Sequence, residues 1–174
     1  SDLVIAGMDI VDAITRVEPP KNPTKIVQAS LASDNKAPPP PPSWTGVRDA
    51  TQYGAPAIQP TGGPSTSEPA PNENCLFLNV WTPAADGARR PVMFYCHGGG
   101  FTVGSGGRSY QNGANLAREQ NVVVVESNHR LGLFGYFYLG GLLGPEYRGN
   151  QGMLDIIAAL KWVSVNIAAF GGDP

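Results

Sequence analysis

Cysteine is scarce in this chain, its charge is nearly balanced, and no apolar run reaches the length of a membrane span. Cys75 and Cys96 are the only cysteines, too few for a disulfide framework or a statement about redox compartment. Cys96 closes an apolar run, where a reduced thiol behaves as a small hydrophobe, so a Cys75–Cys96 bridge is not expected. A net charge of −2 excludes the strong electrostatic footprint of a nucleic-acid or membrane-surface binder. The first residues do not read as a signal peptide, and because the chain opens on Ser1 its true start is expected upstream. No N-x-S/T acceptor occurs, since Asn22-Pro23-Thr24 is blocked by its proline.

Glycine (22) and proline (17) are abundant, so many turns and long ordered loops are expected. A hydrophobic fraction of 41% over 174 residues suffices for one domain with a core.

The most informative stretch is Pro91–Gly107, PVMFYCHGGGFTVGSGG. Val92–Cys96 has the short apolar character of a buried parallel strand. His97 ends it, and Gly98, Gly99 and Gly100 follow. Each glycine costs backbone entropy; what it offers is bare backbone whose N–H groups can converge on negative charge, either a phosphate or the oxyanion of an attacked acyl carbonyl. A phosphate loop needs a Lys and Ser/Thr opening a helix, or a spaced G-x-G-x-x-G, and neither is here. An HGGG loop after a strand is the oxyanion-hole pattern of lipases and esterases; a plain flexible turn is the alternative.

The chain divides by composition. Leu3–Ala6 is strand-like, Asp9–Thr15 is a short amphipathic helix with Asp9 at its N-cap, and Lys25–Leu31 is a second strand candidate. Ala37–Ser43, APPPPPS, favours extended polyproline II and reads as a semi-rigid junction. Beyond it, strands are expected at Leu76–Trp81, Val92–Cys96 and Val122–Val125, the last buried on both faces. Helices are expected at Asn112–Gln120, with Leu116 and Ala117 inward, and at Asn150–Ala168. In the latter Met153, Ile156, Ile157, Leu160 and Val163 form an apolar stripe, and Gly171-Gly172 stop it. Asn128–Gly135 is expected as a loop. Alternating strand and helix predicts an α/β fold with a mostly parallel sheet and flanking helices.

Four texts in register give a resemblance. They are Trp44-Thr45-Gly46-Val47 with Asp49-Ala50-Thr51; Glu73-Asn74-Cys75-Leu76-Phe77-Leu78-Asn79-Val80; His97-Gly98-Gly99-Gly100-Phe101; and Asn150-Gln151-Gly152 through Asp155, Trp162, Asn166 and Phe170-Gly171-Gly172-Asp173-Pro174. Residues from about 43 to 174 resemble the N-terminal part of a type-B carboxylesterase, a cholinesterase-like α/β-hydrolase. Residues 1–36 resemble the C-terminal tail of a bacterial cyclophilin, mainly through V-x-x-G-M-D-x-V-D-A-I; that family's catalytic arginine and aromatic pocket have no counterpart here. The expected organisation is therefore a tail-like segment (1–36), a proline-rich linker (37–43) and an incomplete α/β-hydrolase domain (44–174) that stops before the nucleophile elbow.

The resemblance implies hydrolysis of a small-molecule carboxylic ester through an acyl-enzyme, without metal or cofactor. It gives Gly99 and Gly100 the role of oxyanion donors and offers Phe101 as an acyl-pocket wall, a packed aromatic being the alternative. His97 becomes a loop-holder, and Glu73 and Arg130 a buried ion pair. Asn128 and Asp155 become structural, Asp155 at the helix N-terminus or on the Asn128–Arg130 loop. The serine, from a G-x-S-x-G elbow, and the remaining triad members lie outside these residues. Ser105 has Val103 two positions earlier, so it is no elbow serine, and a Ser105–His97 dyad lacks an orienting carboxylate in any motif. Cys75 has a cysteine partner in the family where Ala57 stands, and Ile156 replaces a usual glutamine. A non-catalytic cholinesterase-like binding module and a remnant of a peptidyl-prolyl isomerase fusion are the alternatives. The residues leave the compartment open, the resemblance pointing to a secreted or periplasmic bacterial parent. A sheet lacking its nucleophile strand is expected to leave an unpaired edge prone to self-association.

Overall fold

In a computed structural model the chain is described at residues 36–38, 50–60 and 68–174, with the backbone alone at 26–28. The expected helix at Asp9–Thr15, the proline run beyond Pro38 and the Trp44–Asp49 text lie outside these residues.

Among the described residues four strands form one sheet in the order β1-β2-β4-β3: β1 (Ile26–Gln28), β2 (Phe77–Trp81), β3 (Val92–Cys96) and β4 (Val123–Ser127). The parallel pairing is β3 with β4, Val92 opposite Val123 and Cys96 opposite Ser127. β4 pairs antiparallel with β2, and β2 with β1, Val27 facing Leu78. The described sheet is therefore mixed, its parallel character confined to β3 and β4. The valine run makes β4 the central strand, all five residues buried. β-branched side chains fit a pleated surface covered on both faces.

The helices are α1 (Ala114–Gln120), α2 (Gly132–Tyr136), α3 (Gly140–Leu143) and α4 (Gln151–Asn166), with a 3₁₀ turn over Ile167–Phe170. Helices cover both faces of the sheet. Gly113, at the head of α1, stands against Val124 and Trp81, whereas Gly172, past α4, stands between Ile167 and Val92. Val92 pairs with Val123 and Met93 with Val124, and alternate residues point to opposite faces, so α1 and the end of α4 lie on opposite sides. The core joins Leu78, Val80, Trp81, Val123, Val124 and Val125 to Trp162, Ile167 and Phe170. Gly171 ends the helical run at φ 76°, its N–H donating to the Ala168 carbonyl. That left-handed position suits a residue without Cβ.

Several burial expectations fail. β3 is only partly covered, with Met93, Tyr95 and Cys96 exposed, because it is the last strand on its side of the described sheet. Cys75 and Cys96 are both free thiols. Leu116 is exposed while Ala117 is buried. On α4 the apolar stripe is covered only in part: Val163 is buried and Ile156 half-buried, but Met153, Ile157 and Leu160 are exposed, while the off-stripe residues Gln151, Gly152, Asp155, Trp162 and Asn166 are buried. Polar partners outside the helix draw in Asp155, and Asn166 turns its amide back onto the Trp162 carbonyl at 2.8 Å. Part of the expected Asn128–Gly135 loop is α2, whose Gly135 sits against the Arg130 carbonyl. Gln151–Phe170 has, by length and composition alone, the dimensions and mean hydropathy (1.6) of a membrane span, where the sequence predicts no apolar run that long. Along it Asp155, Trp162, Asn166 and Phe170 are buried against the rest of the described residues.

Candidate active site

β3 delivers the glycine loop to the end of the sheet. Gly99 has φ 132° and Gly100 φ 59°, both in the region that favours glycine. At Gly99 a Cβ would also run into the Val103 carbonyl, whereas Gly100 faces open space. The Gly99 carbonyl closes the turn, accepting from Thr102 N (3.1 Å), Val103 N (3.2 Å) and Thr102 Oγ1 (3.0 Å). The amides of Gly98, Gly99 and Gly100 donate to nothing among the described residues, and all three residues are exposed. Phe101 continues the turn at φ 62°, a left-handed conformation that costs an aromatic residue about 1–3 kcal/mol. Two contacts fix it: Gly132 N donates to its carbonyl at 2.8 Å, and its ring lies 5.0 Å from that of Tyr136. More than half of Phe101 remains exposed at 56%.

A shell of polar side chains holds this loop. His97 is buried, its Nδ1 3.0 Å from the Gly98 carbonyl. Its ring fills the place a Cβ on Gly104 would take and stands edge-on to His129 at 4.5 Å. Burial lowers both imidazole pKa values, that of His129 to about 4, with neighbouring His97 adding to the effect. Two neutral rings can share this space without a charge between them. Gln59 clamps Gly104 from both sides, accepting from its N–H at 2.8 Å and donating to its carbonyl at 2.9 Å. Gly106 is clamped likewise: its N–H donates to Asn128 Oδ1 (2.8 Å), and Asn79 Nδ2 donates to its carbonyl (2.9 Å). Asn128 also donates to the Ala55 carbonyl at 3.2 Å.

Ser105 is fully buried and donates its hydroxyl to Glu68 Oε2 at 2.8 Å. The carboxylate that no motif offered is thus present, but it binds the serine hydroxyl directly. His97 Nε2 has no partner among the described residues, so the Ser105–His97 dyad is not assembled. Gln59, Glu68 and Asn79 did not stand out in the sequence as loop-holders. The one available signal was Asn79, a polar residue in the apolar run LFLNVW.

The expected Glu73–Arg130 pair is corrected. Arg130 binds Asp155: Nε donates to Oδ2 (2.9 Å), Nη2 to Oδ1 (2.7 Å) and the Arg130 N–H to Oδ2 (3.0 Å). Both side chains are 1% exposed. Nη2 also reaches the Lys36 carbonyl at 2.6 Å. Of the two readings of Asp155, holding the Asn128–Arg130 loop is the one observed. Glu73 only borders a shallow recess beside Arg130, Cys75 and Phe134, with no ion pair among the described residues. Ala57 packs with Cys75, Leu76 and Leu131, and burial pushes the Cys75 thiol up to about 12.

A parallel strand pair feeding a glycine turn, with helices on both sheet faces, defines part of an α/β-hydrolase. Known proteins agree. A profile of the Carboxylesterase family matches residues 35–174, and the chain belongs to that family. It is 45% identical over 142 residues to para-nitrobenzyl esterase of Bacillus subtilis, covering 80% of this chain and 29% of that protein. It is 43% identical over 137 residues to phenmedipham hydrolase of Pseudarthrobacter oxydans, covering 75% of this chain and 27% of that protein. Among solved structures, the Geobacillus stearothermophilus carboxylesterase EST55 superposes with a TM-score of 0.77 at 41% identity, over 90% of this chain and 34% of its own. The chain thus spans about a third or less of the length of these relatives.

Proposed function

We propose that this chain is the oxyanion-loop portion of a serine carboxylesterase acting on small-molecule carboxylic esters, with Gly99 and Gly100 as donors to the developing oxyanion. The observation that carries the reading is the pair of exposed glycine amides without acceptors at the end of β3. Donors fixed before the reaction stabilise charge as it forms, and losing one typically costs about 3–4 kcal/mol of transition-state stabilisation. Phe101, exposed beside them, suits the wall of an acyl site. His97, Asn128, Arg130 and Asp155 act by holding the loops. No G-x-S-x-G occurs in the 174 residues, and Ser105 is buried against Glu68, so the nucleophile, its base and its acid are not among these residues.

Two assays test this. The purified chain should give no p-nitrophenyl ester turnover above buffer; turnover abolished by Gly100→Pro but retained by Ser105→Ala would overturn the reading, since it requires a nucleophile elsewhere in the chain. Conversely, His97–Gly104 grafted into para-nitrobenzyl esterase should preserve its activity. In that chimera Gly99→Ala should lower kcat by about 10²–10³-fold, with KM less affected. An unchanged kcat refutes the oxyanion role.

We further propose the division 1–36, 37–43 and 44–174, which rests on the change in composition at the proline run; the family match itself opens at residue 35 and runs through that segment. The cyclophilin-like character of 1–36 rests on its own residues, although Ile26–Gln28 pairs with the hydrolase strand β2. Met93 and Tyr95 on β3, with Ile157 and Leu160 on α4, leave exposed apolar surface that favours self-association, readable by sedimentation velocity across concentration.

A further inference from the structure

Glu126 has no part in the reading above. It lies on β4 in the middle of the sheet, 3% exposed, and its Oε2 has no hydrogen-bond partner among the described residues. Directly opposite it on β2 stands Asn79. Residues opposed across an antiparallel pair share a face, with Cβ atoms about 4.5–5.5 Å apart. Asn79 uses Nδ2 to hold the Gly106 carbonyl, while its Oδ1 also lacks a partner. Two orphaned buried oxygens on opposed residues are costly. They are complementary only when the carboxyl carries its proton, because a protonated acid is a donor and an amide oxygen an acceptor. Gly106 closes the arrangement from above, a Cβ there lying 3.3 Å from Glu126 Cβ.

We infer that Glu126 is a positioning residue: as the neutral acid it donates its carboxyl proton to Asn79 Oδ1, fixing the amide that holds Gly106 and, through Gly106, the glycine loop. The inference rests on the oxyanion reading for its catalytic meaning, but not for its geometry. The surroundings favour the neutral form. Across β3 the titratable group in register is Tyr95. The α1 residues buried toward the sheet are Ala114 and Ala117, while Arg118 and Glu119 are exposed and pair with each other at 3.8 Å. From the loop, Glu68 touches Gly107 and His97 packs under Gly104. No cation among these meets Glu126 in a salt bridge, and burial alone raises its pKa to about 8.

The sign follows from linkage. A folded pKa of about 8 against 4.5 unfolded means the acid's contribution is complete below about pH 4.5 and is lost as pH rises towards 8. Glu126→Gln keeps a donor for Asn79 and does not titrate; Glu126→Ala removes it. The test is thermal unfolding of the whole chain from acid to mildly alkaline pH, with carboxyl-carbon NMR of glutamate-labelled protein. The expected result is that E126Q equals or exceeds wild type, its margin widening as pH rises, while E126A falls below E126Q throughout. In wild type, one glutamate carboxyl should titrate above about pH 7, and the Gly106 amide shift should follow it. Parallel wild-type and E126Q curves, or every glutamate titrating below about pH 6, would overturn the inference. Should E126Q fail to fold, the wild-type NMR titration decides between the same outcomes. No readout involves ester turnover, so a failure here is distinct from a failure of the oxyanion reading.

Discussion

Removing the Asp155 carboxylate is the sharpest perturbation this fold offers. Asp155→Ala deletes the acceptor of three N–H donors from Arg130 and leaves a guanidinium with 1% of its surface exposed. Its remaining described acceptor is the Lys36 carbonyl, which is neutral. Breaking a buried pair from one side strands a charge and costs about 3–5 kcal/mol. In a domain of this size 1 kcal/mol moves Tm by about 2–4 °C, so a fall of about 6–20 °C is expected. The exposed Arg89–Asp173 pair, with side chains 70% and 50% exposed, is the internal control: Asp173→Ala should change stability by no more than about 1 kcal/mol. The double variant Arg130→Met/Asp155→Leu should be more stable than Asp155→Ala, because no buried charge remains unpaired. Urea unfolding and calorimetry read all three. An Asp155→Ala protein melting with wild type would refute the argument, as would a double variant no better than the single one.

Other expectations follow from burial. Cys75 is 1% exposed with its pKa pushed up to about 12, while Cys96 is exposed, so a thiol reagent at pH 8 should titrate one cysteine in the native chain and two in denaturant. Cys96→Ser should leave the native chain with none. His129 carries a folded pKa of about 4 against 6.5 unfolded. Its neutral burial therefore contributes fully above about pH 6.5, and stability falls as pH drops toward 4, by a total on the order of 3 kcal/mol. His129→Phe should flatten the acid limb of the stability–pH curve attributable to this residue; an unchanged limb counts against its burial as a neutral ring.

The glycine turn and the valine strand were legible because each depends on local chemistry. Successive positive φ values at Gly99 and Gly100 call for bare backbone, and four valines in a row suit a strand covered on both faces. The stop at Gly171 was legible for the same local reason. The partner of Arg130 was not. Glu73 and Asp155 are both acids within reach of a plausible loop, and only three-dimensional closure puts the carboxylate of α4 against the guanidinium. The stripe on α4 misled differently: its period identified a helix, but Met153, Ile157 and Leu160 are spaced as a core face would be and are not covered. Period alone does not say which face the sheet takes when polar partners draw Asp155 inward. β3 departs from the buried-strand expectation because an edge strand can carry the same apolar run as a central one. The loop-holders Gln59 and Glu68 lie 45 and 37 residues before the backbone and hydroxyl they hold, and no spacing rule connects them.

The Arg130 guanidinium reaches in two directions, to the Asp155 carboxylate and to the main chain at Lys36. The main chain at Lys36 is thereby tethered to the group that orders the bend carrying Asn128 and His129. A cut, a tag or a tug applied just ahead of Lys36 would be transmitted inward to that bend, and from it through Asn128 to the seat of the glycines.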